Sequence, residues 1–272
     1  MRGTQLTSTS KWRARLRVPR PTKAVLLPRG GKDAARQFLI LFVFYIAYAF
    51  ARALAHGRDA VALANGRTLM HAEKYLHIYI EPWVQAKFSH WDPLLSFFNF
   101  YYMYCHLTVA LWCMIWLYLR RNAVYTFFRD WFMVMNGIAL VLYLLVPTAP
   151  PRLTFTSGIV DTLWLLSPVN LSVGGMSGQA NPYAAVPSLH FGWALFVGLA
   201  VVMMARRHWV RIVGGLFPVI TLLSIIVTGN HWLFDALAGG LVAIGAYLLV
   251  ARVATAKVGA PVPVLNRRHG GV

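Results

Sequence analysis

The chain has 272 residues, of which 58% are hydrophobic and only 12% charged, with ten tryptophans. That balance excludes an ordinary water-soluble domain and leaves lipid as the main solvent. The formal charge of +18 would suit a nucleic-acid binder, but the basic residues crowd the ends of the apolar runs, as membrane topology and anionic headgroups require. Nucleic acid is therefore not an expected partner, whereas membrane lipid is.

In chain order, residues 1-36 form a basic tail with Lys11, Arg13, Arg15, Arg17, Arg20, Lys23, Arg29, Lys32 and Arg36. It is too long and polar for a cleavable signal and reads as cytoplasmic. A bilayer-crossing helix needs roughly 20 mainly apolar residues, and the chain offers six such runs, at about 37-56, 93-119, 126-146, 187-205, 209-228 and 232-251. The expected fold is all-α: a polytopic membrane helical bundle of six transmembrane helices, forming one catalytic domain over 37-252, with a C-terminal tail over 253-272.

Between the first two runs, residues 58 to 91 mix apolar and charged positions and suit interfacial helices lying in the headgroup layer. The stretch 154 to 182, rich in Gly, Ser, Pro and Asn, reads as an external loop or cap. Arg120, Arg121 and Arg129, then Arg206, Arg207 and Arg211, then Arg252, Lys257, Arg267 and Arg268 fall on the same side as the N-terminal tail. The positive-inside bias thus places both termini in the cytoplasm, with the plasma membrane as the site if the host is bacterial. Cys105 and Cys113 share one apolar run, eight positions apart, and cannot bridge along a helix. Trp83, Trp91, Trp209 and Trp232 read as interfacial anchors, and Gly239-Gly240 as a close helix contact.

Three polar clusters interrupt the apolar sequence: PTAPPR ending in Arg152, PSLH ending in His190, and GNH ending in His231 with Asp235 beyond it. By the expected topology all three lie at outer helix ends, on the extracytoplasmic face. His231 and Asp235 are four apart, so one helical face brings them together. The carboxylate can then hold one ring nitrogen and leave the other free to attack an electrophile such as phosphorus. Pro187 suits a first helical turn, and the amides of Ser188 and Leu189 after it would form an anion seat for phosphate. Ser188 itself reads as a helix cap. Arg152 adds a charge able to make paired hydrogen bonds to phosphate oxygens, although snorkelling to lipid phosphate is the plain alternative. His190 supplies a second imidazole as general acid and base. His106, near Tyr102 in the second run, and Asn181 upstream of PSLH are further candidates for touching substrate, His106 being equally suited to packing. The scheme calls for no metal and no cofactor.

PSLH followed forty-one positions later by His-x-x-x-Asp resembles the type 2 phosphatidic acid phosphatase superfamily. NPYAAVPSLH, TGNHWLFDALAG and PTAPPRL together look most like its inositol phosphorylceramide synthase branch, over spans two to six. The resemblance implies a phosphohistidine mechanism, with His231 as nucleophile, Asp235 as its partner and His190 as general acid and base. The chain departs from the usual family pattern in having Ser224-Ile225 where the third motif opens on Ser-Arg, Leu189 where the second has Gly, and no evident Lys-rich first motif. The expected activity is transfer of a headgroup phosphate, for example phosphoinositol, from a phospholipid or isoprenyl phosphate donor to a hydroxyl acceptor on a lipid or glycan. The alternative is a lipid phosphate or isoprenyl pyrophosphate phosphatase with water as acceptor. A further alternative, from a different class, is a haem-binding electron-transfer protein that uses the membrane histidines as ligands.

Overall fold

The structure is a computed structural model that describes residues 28–53, 58–166 and 183–256. The greater part of the basic tail, Asn181 with the rest of 167–182, and the C-terminal residues from 257 lie outside the described residues.

The chain folds as a bundle of helices: α1 Gly30–Ala53, α2 Asp59–Tyr75, α3 Glu81–Phe88, α4 Asp92–Phe100, α5 His106–Arg120, α6 Asn122–Leu145, α7 Thr162–Leu166, α8 Leu189–Met204, α9 His208–Val227 and α10 Leu233–Ala256. A wider turn of helix, Tyr101–Cys105, joins α4 to α5 without a break. No strand occurs among the described residues; the nearest thing is one parallel bridge between Thr148 and Ala184. Four helical stretches are long and apolar enough to cross a membrane: Asp92–Arg120, Asn122–Leu145, His208–Val227 and Leu233–Thr255. Helix α8 is a shorter apolar helix of 16 residues, and α1 carries Lys32, Asp33 and Arg36 ahead of its apolar stretch.

The short α8 sits at the centre, packed against α5, α6, α9 and α10. That position explains its composition, because a helix enclosed on every side is apolar all round. Phe196 and Ala200 on α8 share one core cluster with Phe128, Trp131 and Met135 on α6 and Ala243 and Ala246 on α10. The Trp131 indole N–H donates to the Ala243 carbonyl at 2.7 Å, so the largest core side chain leaves no polar atom unmet. The outer faces are apolar too: Phe38, Phe42 and Ile46 on α1, Leu107, Leu111 and Trp112 on α5, Val213 and Leu216 on α9, and Leu241 and Leu248 on α10 are all exposed. An apolar belt of that extent is what lipid contact requires.

The two ends of the bundle differ. At one, Arg129 donates to Gln37 at 2.7 Å, Tyr118 to Asp33 at 3.2 Å, and buried Arg121 to the Met204 carbonyl that ends α8. This end gathers the arginines that the sequence places on one side. At the other end, α8 and α10 both begin and α9 finishes, and α2, α3 and the segment from Pro147 to Leu166 cover them. The segment is fixed by Gln85, which donates to the Val160 carbonyl at 2.9 Å and the Val227 carbonyl at 3.0 Å, and by Asn99, which donates to the Thr162 carbonyl at 2.8 Å.

Two expectations need correction. Pro187 does not open a helix: α8 begins at Leu189, with Ser188 as its cap and Pro187 before it. Trp232 is no interfacial anchor, for it is fully buried and its indole N–H donates to the Ala149 carbonyl at 2.9 Å. Trp83, Trp91 and Trp209 are exposed, as an anchoring role needs.

Candidate active site

Helix α9 ends at Val227, and Gly229 then takes a left-handed conformation, φ +69°, that reverses the chain into α10. The reversal leaves Asn230, His231 and Trp232 at the head of α10, with Asp235 one turn in. His231 Nδ1 lies 3.2 Å from Asp235 Oδ2 and 3.1 Å from the Ala185 carbonyl oxygen. Both neighbours are acceptors, so Nδ1 carries the ring proton and Nε2 of the neutral ring holds a lone pair. That lone pair points at His190, whose Nδ1 is 3.1 Å away. Asp235 is itself fixed: Oδ2 also accepts from the Trp232 N–H at 2.9 Å, and its main-chain carbonyl accepts from the Ser188 N–H at 2.9 Å.

The last of these bonds couples the two helix heads. Gly239, one turn further along α10, has no side chain because a Cβ there would lie 2.2 Å from the Ser188 carbonyl oxygen. The expected anion seat on the Ser188 and Leu189 amides is corrected at Ser188, whose N–H is already taken by the Asp235 carbonyl; its side chain caps α8 by accepting from the Phe191 N–H at 3.4 Å, which leaves the amides of Leu189 and His190 as the early helical donors without intrahelical partners. A second strap holds the approach to α8, where Thr148 donates to the Tyr183 carbonyl at 2.7 Å and Ala185 donates back to the Thr148 carbonyl at 3.2 Å. This bridge places the Ala185 carbonyl against His231.

His190 is sandwiched. Tyr102 stacks on it with centroids 4.5 Å apart and planes within 14°, and His106 lies on it at 4.0 Å with planes tilted 50°. Both come from the wide helical turn and its flank on α5, so that irregular turn presents two side chains to one ring. His106 also stacks on Trp193 at 5.6 Å, and its Nδ1 has no hydrogen-bond partner among the described residues.

Arg152 lies in a short 3-10 turn, Pro151–Leu153. Its main-chain N–H donates to Gly229 at 3.0 Å, two residues before His231. Its side chain is held on two sides, by Asn230 Oδ1 at 2.8 Å from Nε and by Asp161 Oδ2 at 2.8 Å from Nη1. Nη2 is left over for another acceptor. The structure therefore brings together His231, Asp235, His190, Ser188, Leu189, His106 and Tyr102, with Arg152 anchored to the same turn; Asn181 lies outside the described residues.

Sequence reading missed four contributors. The Ala185 carbonyl and the Asn230 amide have no signature beyond adjacency to the motifs. Glu73 and Glu81 had one: they are two of only eight acidic residues in the chain. Both are wholly buried against the head of α10.

Residues 67–249 match the family model described as the PAP2 superfamily. The chain belongs to the PAP2 superfamily. The matched region takes in every described site residue named above and excludes α1 and the basic tail. Comparison with curated proteins and comparison with solved structures each returned no match. PAP2 members are phosphatases or phosphotransferases, and membership fits such activity on lipid phosphates.

Proposed function

We propose that the chain is a membrane phosphotransferase that moves a headgroup phosphate from a lipid donor to a hydroxyl acceptor through a phosphohistidine on His231. One observation carries the reading: Nδ1 of His231 faces two acceptors and Nε2 faces the second imidazole. In the first half-reaction Nε2 attacks phosphorus, the bond from phosphorus to the leaving oxygen breaks, and His190 gives that oxygen a proton. Asp235 offsets the positive charge that grows on His231. The negative phosphate favours the protonated form of His190 that this step needs. In the second half-reaction His190 takes the proton of the acceptor hydroxyl, the acceptor oxygen attacks the phosphohistidine, and the phosphorus–nitrogen bond breaks. Arg152 Nη2 and the amides of Leu189 and His190 hold the non-bridging oxygens, while Tyr102 and His106 pack against the His190 ring. Residue chemistry alone carries this scheme, with no cofactor or metal.

Resemblance to the inositol phosphorylceramide synthase branch favours a phosphoinositol donor and a lipid or glycan hydroxyl. Superfamily membership equally admits water, which would make the protein a lipid phosphatase. In the same reading α1 and α8 complete six crossings, the catalytic domain spans 37-252, both tails are cytoplasmic, and the histidines face the extracytoplasmic side. The deciding experiment incubates the purified protein in lipid with phospholipids and isoprenyl phosphates, with and without hydroxyl acceptors, and follows phosphorus-containing products by mass spectrometry. A new acceptor-dependent phosphodiester supports the proposal. Free phosphate alone replaces it with the phosphatase, and no product from any donor refutes both.

A further inference from the structure

Three carboxyl groups claim the first amides of the α10 head: Asp235 takes the Trp232 N–H, Glu81 Oε1 the Leu233 N–H at 2.7 Å, and Glu73 Oε1 the Phe234 N–H at 2.8 Å. All three side chains are 0% exposed, and among the described residues no lysine or arginine pairs with any of them. A helix head welcomes negative charge, but its dipole amounts to only about half an elementary charge. Three buried anions exceed what it offsets.

The unused oxygens resolve the excess. Glu73 Oε2 and Glu81 Oε2 accept from no donor among the described residues, yet the two carboxyl groups are within hydrogen-bonding reach of each other. Two carboxylate oxygens only accept, so neither satisfies the other; a single proton between them satisfies both. We propose that Glu73 and Glu81 share one proton and act together as positioning residues, which fix the first turn of α10 and thereby aim His231 and Asp235. The bonds of the pair then close without an orphan, Leu233 N–H to Glu81, Glu73 O–H to Glu81 and Phe234 N–H to Glu73, and of the three carboxyl groups Asp235 alone keeps an oxygen, Oδ1, with no hydrogen-bond partner among the described residues. It also explains the hairpin of α2 and α3, which brings a residue near the end of one helix and the first residue of the next to two adjacent amides.

The electrostatic surroundings agree. Burial first, then the hydrogen bond and charge of Glu81, push the Glu73 carboxyl up to about 9; the Phe234 N–H pulls the other way and Asp235 adds to the rise. The other titratable groups facing the pair are Asp235 from α10 and Tyr79 from the α2–α3 turn, whose ring Lys74 covers at 4.9 Å. A carboxyl group of ordinary value 4.5 that is held up to about 9 in the fold stabilises it fully below about 4.5. That contribution is lost as pH rises through about 9.

The catalytic half of the proposal rests on the reading of His231 as nucleophile; the shared proton does not. The full chain in lipid nanodiscs is examined by infrared spectroscopy for the carbonyl band of a buried protonated carboxyl group. The expected band is present at pH 8, titrates away near pH 9, is lost in Glu73→Gln and persists in Asp235→Asn. A wild-type protein without the band, or a band unchanged in Glu73→Gln, overturns the shared proton. Glu73→Gln keeps an acceptor for Phe234 and a donor for Glu81, so it should restore what Glu73→Ala loses. The nitrogen NMR signal of the His231 ring should stay in place in Glu73→Gln and shift in Glu73→Ala, and kcat should fall about tenfold in Glu73→Ala with KM little changed. An unmoved His231 signal in Glu73→Ala overturns the positioning role. A wild type with no turnover refutes the functional reading, while the band and the ring signal still decide this one.

Discussion

Helices α8 and α10 start side by side at the same end of the bundle, yet their heads are satisfied in opposite ways. The α8 head is capped by its own Ser188, a neutral hydroxyl that takes the Phe191 amide and leaves earlier amides to spare. The α10 head is filled by three carboxyl groups, two of them brought in from α2 and α3. Both heads have the same dipole and the same surplus of donors. What differs is who supplies the anion. At α10 the protein supplies it permanently, and on the proposed mechanism that head is a fixture that aims the nucleophile. At α8 no carboxyl group fills the head among the described residues, and the same proposal gives that head to the phosphate.

The sharpest way to break this contrast is His231→Ala, which removes the proposed nucleophile and leaves both heads intact. Turnover of a lipid phosphate should fall by about 10⁴-fold or more, with thermal stability nearly unchanged; residual turnover within tenfold of wild type would refute the assignment. Next come His190→Ala and Asp235→Asn, each expected to cost about 10²- to 10⁴-fold in kcat. The second should act by freeing the His231 ring to adopt the wrong tautomer, visible in its nitrogen NMR signals. Arg152→Ala removes a charge-assisted contact to phosphate, worth about 1.5–3 kcal/mol, and should lower kcat/KM by about ten- to a hundredfold. If kcat/KM is unchanged, Arg152 merely ties the loop to Asn230 and Asp161. The smallest effect falls on the α8 head: Ser188→Ala loses a neutral cap and should destabilise the fold by about 1 kcal/mol, measured by thermal unfolding. Alkaline pH sharpens the comparison further. The α10 head should weaken as pH climbs toward about 9, where Glu73 loses its proton, and the α8 head, capped by a hydroxyl, should not respond.

Much of this was legible because its physics is local. His231 and Asp235 are four apart, and helical geometry alone brings them together. The apolar runs are long enough to announce a membrane bundle, although α8 at 16 residues spans only about 24 Å, and its central place depends on neighbours that a run of apolar letters does not name. Pro187 was misplaced for a related reason: proline fits the first helical turn, but the Ser188 side chain, which caps by reaching the Phe191 amide, starts the helix two residues later. Trp232 misled because tryptophan at a membrane helix end is commonly an anchor, and only the fold reveals the Ala149 carbonyl that receives its N–H. Glu73 and Glu81 were the hardest to read. Their partners are main-chain amides more than 150 residues away, and an amide looks the same in every residue but proline.

The 3.1 Å contact between His231 Nε2 and His190 Nδ1 has a practical corollary. In the mechanism proposed above, a phosphorus atom bonded to Nε2 must occupy the ground where His190 now stands, so admission of substrate and separation of the two rings are a single event, and the proposed nucleophile is shielded by its own helper. Small electrophiles that cannot wedge the rings apart should modify exposed histidines such as His90 long before His231, whereas a charged tetrahedral group, drawn by Arg152, carries the means to prise them open. On that proposal the pair is a selectivity gate made of two imidazoles.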